Sequence, residues 1–160
     1  MSGAGAPAIA VDREAAKTLR VGIIVTRWHH ELMSALLDGA QRGCRDAGLQ
    51  NEPTVFHVPG AFELPVAAAR LARSGQFDVL VTLGLVLRGS TPHFEYVCQG
   101  ATLGVTNVAT ETGIPIGFGL LTCDTEEQAF ERSGLPGSSE DKGHEAATAA
   151  IATALALREY

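Results

Sequence analysis

The chain has 160 residues, of which 46% are hydrophobic and 19% are charged, and this balance is typical of one compact domain with a substantial core. Its net charge of −6 and its lack of a basic run argue against a nucleic-acid-binding surface and against a polybasic membrane surface. No stretch has the length and apolarity of a membrane span, and the first ten residues lack the basic start of a secretory signal. We therefore expect a cytoplasmic protein.

The cysteines indicate the redox compartment, and the first residues indicate where the domain begins. Cys44, Cys98 and Cys123 form no Cys-x-x-Cys pair, and their odd number fits a reducing compartment better than a disulfide framework. We expect no structural disulfide. We also expect a flexible tail over residues 1–18, followed by a single domain over residues 19–160.

The first half of the domain shows apolar runs that alternate with helical patterns. A strand is predicted over Val21–Thr26, followed by a helix from about His30 to Ala47. A second strand is predicted over Thr54–Val58, followed by a helix over residues 62–73. One face of the first of these helices carries the apolar residues that we expect in the core, namely Met33, Leu37, Ala40, Cys44 and Ala47.

The next part of the chain contains the most apolar run. Residues 78–87, DVLVTLGLVL, are almost continuously apolar, as in a strand that is buried on both faces. A helix is predicted to begin near Pro92, and a fourth strand is predicted over Ile114–Thr122.

Two further helices complete the chain. A short one follows the fourth strand, with Thr125 and Gln128 as a capping box and Gly134 at its C′ position. A long alanine-rich helix is predicted over Glu140–Glu159. Strands that alternate with helices at this spacing imply parallel pairing through right-handed crossovers. The predicted fold is an α/β, three-layer α/β/α sandwich around a four-stranded parallel sheet.

Ligands of such sheets bind at the carboxyl ends of the strands, where loops lead into helices. This rule selects four stretches as candidate parts of a site. They are Arg27–His29, Pro59–Glu63, Arg88–His93 and Phe118–Asp124.

The third stretch, RGSTPH, has the composition of an anion site. With Thr91 as N-cap and Pro92 as the first helical residue, the backbone N–H groups of Gly89, Ser90 and Thr91 would be free at the positive end of a helix dipole. The alternative is that Thr91 and Pro92 only begin a helix. His93 favours a site, since an imidazole beside an anion can donate to it or transfer protons near neutral pH.

Four motifs occur in an order that identifies a family. They are PGAFELP (Pro59–Pro65), LGLVLRGSTPHFEYV (Leu83–Val97), FGLLTCDTEEQAFERSG (Phe118–Gly134) and DKGHEAA (Asp141–Ala147). Together they closely resemble the 6,7-dimethyl-8-ribityllumazine synthases, which catalyse the penultimate step of riboflavin biosynthesis. The resemblance covers about Val21–Glu159.

The resemblance implies a fold, a reaction and an assembly. It implies a flavodoxin-like subunit in a homopentameric ring, with active sites between neighbouring subunits. The expected reaction is the condensation of 5-amino-6-(D-ribitylamino)uracil with 3,4-dihydroxy-2-butanone 4-phosphate, by a transferase that needs no metal or organic cofactor. The linker SGLPGSSED (Ser133–Asp141) is longer than in icosahedral members of the family, so we expect free pentamers.

The resemblance also implies which residues bind the pyrimidine and its ribityl chain. Trp28 would stack on the flat ring, the alternative being a half-buried core tryptophan. The Glu63 carboxylate would accept hydrogen bonds from ribityl hydroxyls, unless it serves as a helix-start acid. The other residues implied here are Ala61, Phe62, Leu85, Leu87 and Phe118, the last from the adjacent subunit.

The phosphorylated substrate is expected to bind to a second group of residues. The resemblance assigns Ser90 and Thr91 to the phosphate, His93 to catalysis, and Arg132 of the adjacent subunit to pairing with the phosphate. Lys142 completes this group. Two alternatives stay open: a cation in the last turn of a helix ordinarily complements the dipole, and Lys142 could simply pair with the acidic residues beside it.

The remaining polar residues point to no further site. His29-His30-Glu31 and His144-Glu145 lack the spacing of metal ligands, so we expect no metal. We interpret His57 as a hydrogen-bonded core histidine, and Cys98 and Cys123 as packing residues.

Two other functions compete with the condensation, because a fold alone does not fix a function. One is a non-catalytic flavin- or lumazine-binding protein on the same scaffold, and the weaker one is a flavodoxin-type electron carrier. Besides its two small-molecule substrates and its neighbouring subunits, the expected partner is a riboflavin synthase downstream.

Overall fold

The sheet is the centre of the molecule. A computed structural model describes residues 9–160, in which four parallel strands pair in the order β2-β1-β3-β4. The strands are β1 (Val21–Thr26), β2 (Thr54–Val58), β3 (Val79–Leu87) and β4 (Ile116–Cys123). The predicted four-stranded parallel sheet is confirmed.

Helices connect the strands and follow the last of them. They are α1 (Arg13–Ala16), α2 (His30–Asp46), α3 (Leu64–Ala72), α4 (His93–Thr112), α5 (Glu126–Phe130) and α6 (Lys142–Leu157). A 3₁₀ turn over Ala61–Glu63 leads into α3. No helix in residues 9–160 is long and apolar enough to cross a membrane.

The central strands β1 and β3 are buried on both faces, and their successive side chains point to opposite sides of the sheet. On one side, Ile23 and Val81 pack in a core with residues of α2, α5 and α6. On the other side, Ile24 and Leu80 pack with residues of α3 and α4. The predicted three-layer α/β/α sandwich is therefore confirmed, and the carboxyl ends of all four strands lie along one edge.

Helices α2 and α6 pack closely through glycine. A Cβ atom at Gly143 would lie 2.0 Å from the carbonyl oxygen of Leu36, so no other residue fits there without separating the helices. Asp141 caps α6 by accepting a hydrogen bond from the His144 backbone N–H at 3.0 Å. These contacts hold the last helix against the first half of the domain.

The expected flexible tail over residues 1–18 is wrong for its second half. Asp12 accepts hydrogen bonds from the backbone N–H groups of Glu14 and Ala15, which begins α1. Ala16 is fully buried in the core that includes α2 and α6. The Arg13 side chain also donates to the Asp46 carbonyl oxygen, and the Gln50 N–H donates to the Lys17 carbonyl oxygen at 3.1 Å, so the segment is fixed to the domain. Residues 1–8 of the predicted tail lie outside the described residues.

The short helix α5 begins as predicted but ends earlier. Thr125 caps it by accepting from the Gln128 backbone N–H at 3.3 Å. The Gln128 side chain accepts from the backbone N–H of Asp124 at 2.8 Å, so the predicted capping box is displaced by one residue. Gly134 is not at C′, because the helix ends at Phe130. It has φ of 79°, and a Cβ there would lie 2.8 Å from the carboxyl carbon of Asp141.

Candidate active site

A cavity opens at the carboxyl ends of β1, β2 and β3. Its volume is about 320 Å³. It is lined by the loop after β1, the 3₁₀ turn after β2, the last residues of β3 and the first turns of α4. These residues are Trp28, His29, Gly60, Ala61, Phe62, Glu63, Leu85, Val86, Leu87, His93 and Val97. Seven of the predicted site residues meet here: Trp28, Ala61, Phe62, Glu63, Leu85, Leu87 and His93.

Two aromatic side chains border this cavity and face solvent. Trp28 is 68% exposed and Phe62 is 65% exposed. The alternative interpretation of Trp28 as a half-buried core residue is therefore wrong. Exposed aromatic rings beside an apolar floor form a surface on which a flat heterocycle can stack.

Glu63 turns back onto the start of its own helical turn. Its Oε2 atom accepts a hydrogen bond from the Gly60 backbone N–H at 2.9 Å. The helix-start interpretation of this carboxylate thus describes its contact within the chain. A carboxylate has two oxygens, so the other remains able to accept a hydroxyl proton from a ligand in the cavity.

The loop between β3 and α4 presents free backbone donors. Helix α4 begins at His93 with Pro92 in the N-cap position and no side-chain cap. The prediction of Thr91 as N-cap is wrong, since Pro92 has ψ of 0° and delays the first helical residue to His93. Within residues 9–160 no group accepts a hydrogen bond from the N–H of Gly89, Ser90 or Thr91.

His93 links this loop to the cavity. It is exposed, it is the first residue of α4, and it lines the cavity that contains Trp28. Donors at a helix N-terminus attract anions, and the imidazole lies beside them. The arrangement can therefore hold a phosphorylated compound next to a flat ring in the cavity.

The comparisons with known proteins decide the family. The profile of the 6,7-dimethyl-8-ribityllumazine synthases matches residues 18–158. The chain belongs to this family. A 6,7-dimethyl-8-ribityllumazine synthase of Pseudarthrobacter chlorophenolicus is 60% identical over 100% of this chain and 99% of its own length. Synthases of the same name from Micrococcus luteus and Streptomyces coelicolor are 58% and 57% identical over 99% of this chain, and over 98% and 96% of their own lengths.

Five residues that the lumazine synthase resemblance implied for the site do not line this cavity, namely Ser90, Thr91, Phe118, Arg132 and Lys142. Phe118 is 45% exposed and lies near the middle of the edge strand β4, opposite Thr82 of β3. The Arg132 Nη1 atom donates to the carbonyl oxygen of Gln128 at 2.7 Å, which matches the helix-end alternative. Within a single lumazine synthase subunit these residues do not complete the cavity that contains Trp28.

Lys142 pairs with acidic residues beside it, which matches the alternative interpretation of this residue. Its Nζ atom donates to Glu145 at 2.7 Å and also contacts the Glu140 carboxylate. Burial opposes its charge, but the hydrogen bonds to these two carboxylates outweigh burial and raise the pKa of Lys142. The same ion pair lowers the pKa of Glu140. Both groups are therefore charged at neutral pH.

Other predicted roles can now be compared with their positions. His57 is exposed on the edge strand β2, so the core-histidine interpretation is wrong. Among residues 9–160 no group of three or more histidine, cysteine or acidic side chains is arranged to hold a metal. All three cysteines are free, and burial raises the pKa of the Cys44 thiol to about 12.

Four residues of the cavity are not among the site residues that the resemblance implies. Gly60 and His29 lie within the stretches that the strand-end rule selects, and Val86 and Val97 lie within the motif Leu83–Val97. His29 has an unusual backbone conformation. It lines the cavity with φ of 56° and ψ of 59°, a left-handed conformation that is uncommon outside glycine.

Proposed function

We propose that this chain condenses 5-amino-6-(D-ribitylamino)uracil with 3,4-dihydroxy-2-butanone 4-phosphate. The products are 6,7-dimethyl-8-ribityllumazine, phosphate and water, and the reaction is the penultimate step of riboflavin biosynthesis. Membership of the lumazine synthase family over nearly the full chain is the observation that carries this proposal. The non-catalytic flavin- or lumazine-binding alternative is not favoured, because the full-length relatives bear the name of the enzyme.

The pyrimidine binds in the cavity at the strand ends. Trp28 stacks on its ring, and Leu85 and Leu87 form the apolar floor. The ribityl chain extends along the 3₁₀ turn, where it reaches backbone groups of Ala61 and Phe62 and the free oxygen of Glu63. The exposure of the Trp28 indole and the volume of the cavity support this placement.

The phosphate of the second substrate binds to the loop before α4. The N–H groups of Ser90 and Thr91 donate to it at the positive end of the helix dipole. This places the carbon chain of the butanone phosphate between His93 and the pyrimidine. The lack of an acceptor for these N–H groups within residues 9–160 supports the assignment.

The substrates bring most of the reactive groups with them. The primary amine of the pyrimidine attacks the ketone and forms an imine with loss of water. Phosphate then leaves by elimination, and the nitrogen that bears the ribityl chain closes the ring with loss of a second water. No step requires a metal or an organic cofactor. The protein holds the two substrates in a reactive pose, and His93 assists the proton transfers.

The site is completed by a neighbouring subunit. Phe118 packs on the pyrimidine and Arg132 pairs with the phosphate, both from the adjacent copy of the chain. Lys142 also binds the phosphate. The exposed aromatic ring on an edge strand supports this arrangement. A head-to-tail contact of this kind repeats until a ring closes, and we assign a homopentamer. Light scattering that gives a particle much larger than five chains would contradict the free pentamer.

Subunit mixing tests the shared site. Arg132→Ala and His93→Ala variants are unfolded together in equal amounts and refolded. With random assembly, about a quarter of the interfaces combine an intact His93 with an intact Arg132 of the next subunit. Those interfaces should recover native kinetic constants. If mass spectrometry confirms mixing but activity stays at the parental average, Arg132 acts within its own chain.

The reaction itself is tested by mixing the protein with both substrates and following lumazine absorbance. We expect a rate far above that of the same mixture without protein. A chain that binds lumazine tightly but leaves the background rate unchanged would be a binding protein. A cytoplasmic location and a downstream riboflavin synthase as partner remain predictions, which cell fractionation and co-purification test.

A further inference from the structure

Arg88 joins three elements around the loop that precedes α4. It follows β3 directly, and its Nε atom donates to Asp124, just beyond β4, at 2.6 Å. A second guanidinium nitrogen contacts Glu95 in the first turn of α4, and the guanidinium carbon lies 4.3 Å from the centre of the Phe94 ring. We refer to Arg88, Phe94, Glu95 and Asp124 as the Arg88 clamp.

The loop between the two ends of this clamp has little packing of its own. Residues 89–92 are all exposed, and a Cβ atom at Gly89 would meet nothing within 4 Å. Within the described residues, only Pro92 of these four takes part in a backbone hydrogen bond, by accepting from the Glu95 N–H at 3.1 Å. The backbone N–H of Arg88 donates to Cys123 at 3.0 Å. The position of the loop is therefore set by its ends.

We propose that Arg88 is a positioning residue for the phosphate group, because its clamp fixes the loop whose free N–H groups receive that phosphate. This inference rests on the proposed function. Asp124 holds the guanidinium at the end of β4, while Glu95 and Phe94 fix the start of α4, which carries His93. The three contacts tie together the β3 end, the β4 end and the first turn of α4.

The geometry argues against a direct contact between Arg88 and the phosphate. Two of its nitrogens already donate to carboxylates, and the hydrogen bond from Arg88 lowers the pKa of Glu95, so that carboxylate is charged at neutral pH. Two negative charges around the guanidinium would repel a phosphate dianion. A direct role and a positioning role therefore predict opposite effects when one of these carboxylates is removed.

The kinetic experiment uses Asp124→Ala, with Glu95→Ala as a second variant. If Arg88 acts through the clamp, each variant raises the KM for the butanone phosphate roughly threefold to tenfold and leaves the KM for the pyrimidine unchanged. If Arg88 binds the phosphate itself, loss of a repelling carboxylate lowers that KM. A lowered or unchanged KM in both variants would overturn the proposal.

Substitutions of Arg88 itself refine the test. Arg88→Lys keeps the charge but lacks the fork that reaches two carboxylates and the flat surface that stacks on Phe94. Its KM for the butanone phosphate should therefore lie between the values of the wild type and of Arg88→Ala. The double variant Arg88→Ala with Asp124→Ala should have the same KM for the butanone phosphate as Arg88→Ala alone, because both substitutions remove the same clamp. Additive effects would overturn the proposal.

The amino ends of the strands offer a matched control. Arg20 forms a similar pair with Asp78 through Nε at 3.0 Å and Nη2 at 2.8 Å, and its Nη1 donates to Gly75 at 2.9 Å. Arg20→Ala removes a comparable surface arginine pair that lies beside no substrate-binding loop. It should leave the KM values of both substrates unchanged.

Hydrogen exchange by mass spectrometry separates this proposal from the proposed function. Arg88→Ala and Asp124→Ala should speed exchange in residues 93–98, the first turns of α4, roughly threefold to tenfold, while Arg20→Ala leaves this segment unchanged. This readout does not depend on turnover. If wild-type protein is inactive but the segment loosens, the clamp stands and the proposed function fails. Unchanged exchange in both variants would overturn the clamp, whatever the activity.

Discussion

The amino ends and the carboxyl ends of the strands each carry a cavity and an arginine–aspartate pair. Only the carboxyl ends are suited to bind substrates. The amino-end cavity has a volume of about 260 Å³, close to the 320 Å³ of the cavity at the carboxyl ends. At the amino end, Arg20 donates to Asp78 and Gly75 through its side chain, and its backbone N–H donates to Asp78 at 2.8 Å. These polar groups hold the loops together.

At the carboxyl ends, comparable groups have no partners among residues 9–160. The Trp28 indole faces solvent, and the N–H groups of Ser90 and Thr91 have no acceptor within the described residues. Cavity volume does not distinguish the two edges. Solvent-exposed donors and aromatic surface do, because these groups are open to a ligand, whereas the polar groups at the amino ends are already paired within the chain.

The largest effect should follow loss of the Trp28 ring, on which we propose that the pyrimidine stacks. Trp28→Ala should raise the KM for the pyrimidine about tenfold to a hundredfold, since stacking of a base on an aromatic ring contributes on the order of 1–3 kcal/mol. The KM for the butanone phosphate should change little. Steady-state kinetics with each substrate varied in turn measure both values.

A matched variant shows whether the ring itself is responsible. Trp28→Phe keeps a flat aromatic surface and should retain most of the affinity. Because the side chain is largely exposed, neither variant should shift the unfolding midpoint appreciably. Equal losses of affinity for both substrates would show that Trp28 stabilises its loop and does not stack on the pyrimidine.

A smaller effect is expected at His93, beside the loop that we propose binds the phosphate. His93→Ala should lower kcat about tenfold, less than typical loss of a general acid or base, because positioning supplies most of the rate. His57→Ala, which removes an exposed histidine from β2, serves as the control and should leave kcat unchanged. Complete inactivity of a folded His93→Ala protein would mean that proton transfer dominates the reaction.

The smallest effect concerns stability at the amino edge. Hydrogen bonds from Arg20 lower the pKa of Asp78, although burial partly opposes them. The stability from this pair is therefore present above the unfolded pKa of about 3.9 and is lost as pH falls through the lower folded pKa. Asp78→Asn should lower the urea midpoint at pH 7 by roughly 0.2–0.5 M, with activity unchanged. An equal difference at pH 2 would contradict the ionic explanation.

The strands and the site loops were largely predictable, because their signals are local. The apolar run ending at Leu87 and the polar change at Arg88 marked the buried strand and its ligand edge. Loops at the carboxyl ends of parallel strands meet at one edge, and this rule correctly predicted that Trp28 and His93 lie around one cavity. The family motifs then supplied roles that composition alone does not contain.

The errors arose where tertiary contacts override local pattern. The pattern does not predict helix α1, because the helix has only four residues and Ala16 is the one buried residue among them. His57 was misplaced because strand order cannot be read from the apolarity of one short strand, and β2 lies at an edge. The backbone conformation of His29 has no sequence signal beyond the moderate tolerance of histidine for positive φ.

Trp28 is the only tryptophan of the chain, so its fluorescence reports directly on the proposed pyrimidine site. Titration with 6,7-dimethyl-8-ribityllumazine should quench this fluorescence in a saturable way, with the same Kd as calorimetry gives for the product. Addition of the pyrimidine substrate should reverse the quenching by competition. Tight binding by calorimetry with no change in Trp28 fluorescence would place the product elsewhere and contradict the site at the carboxyl edge.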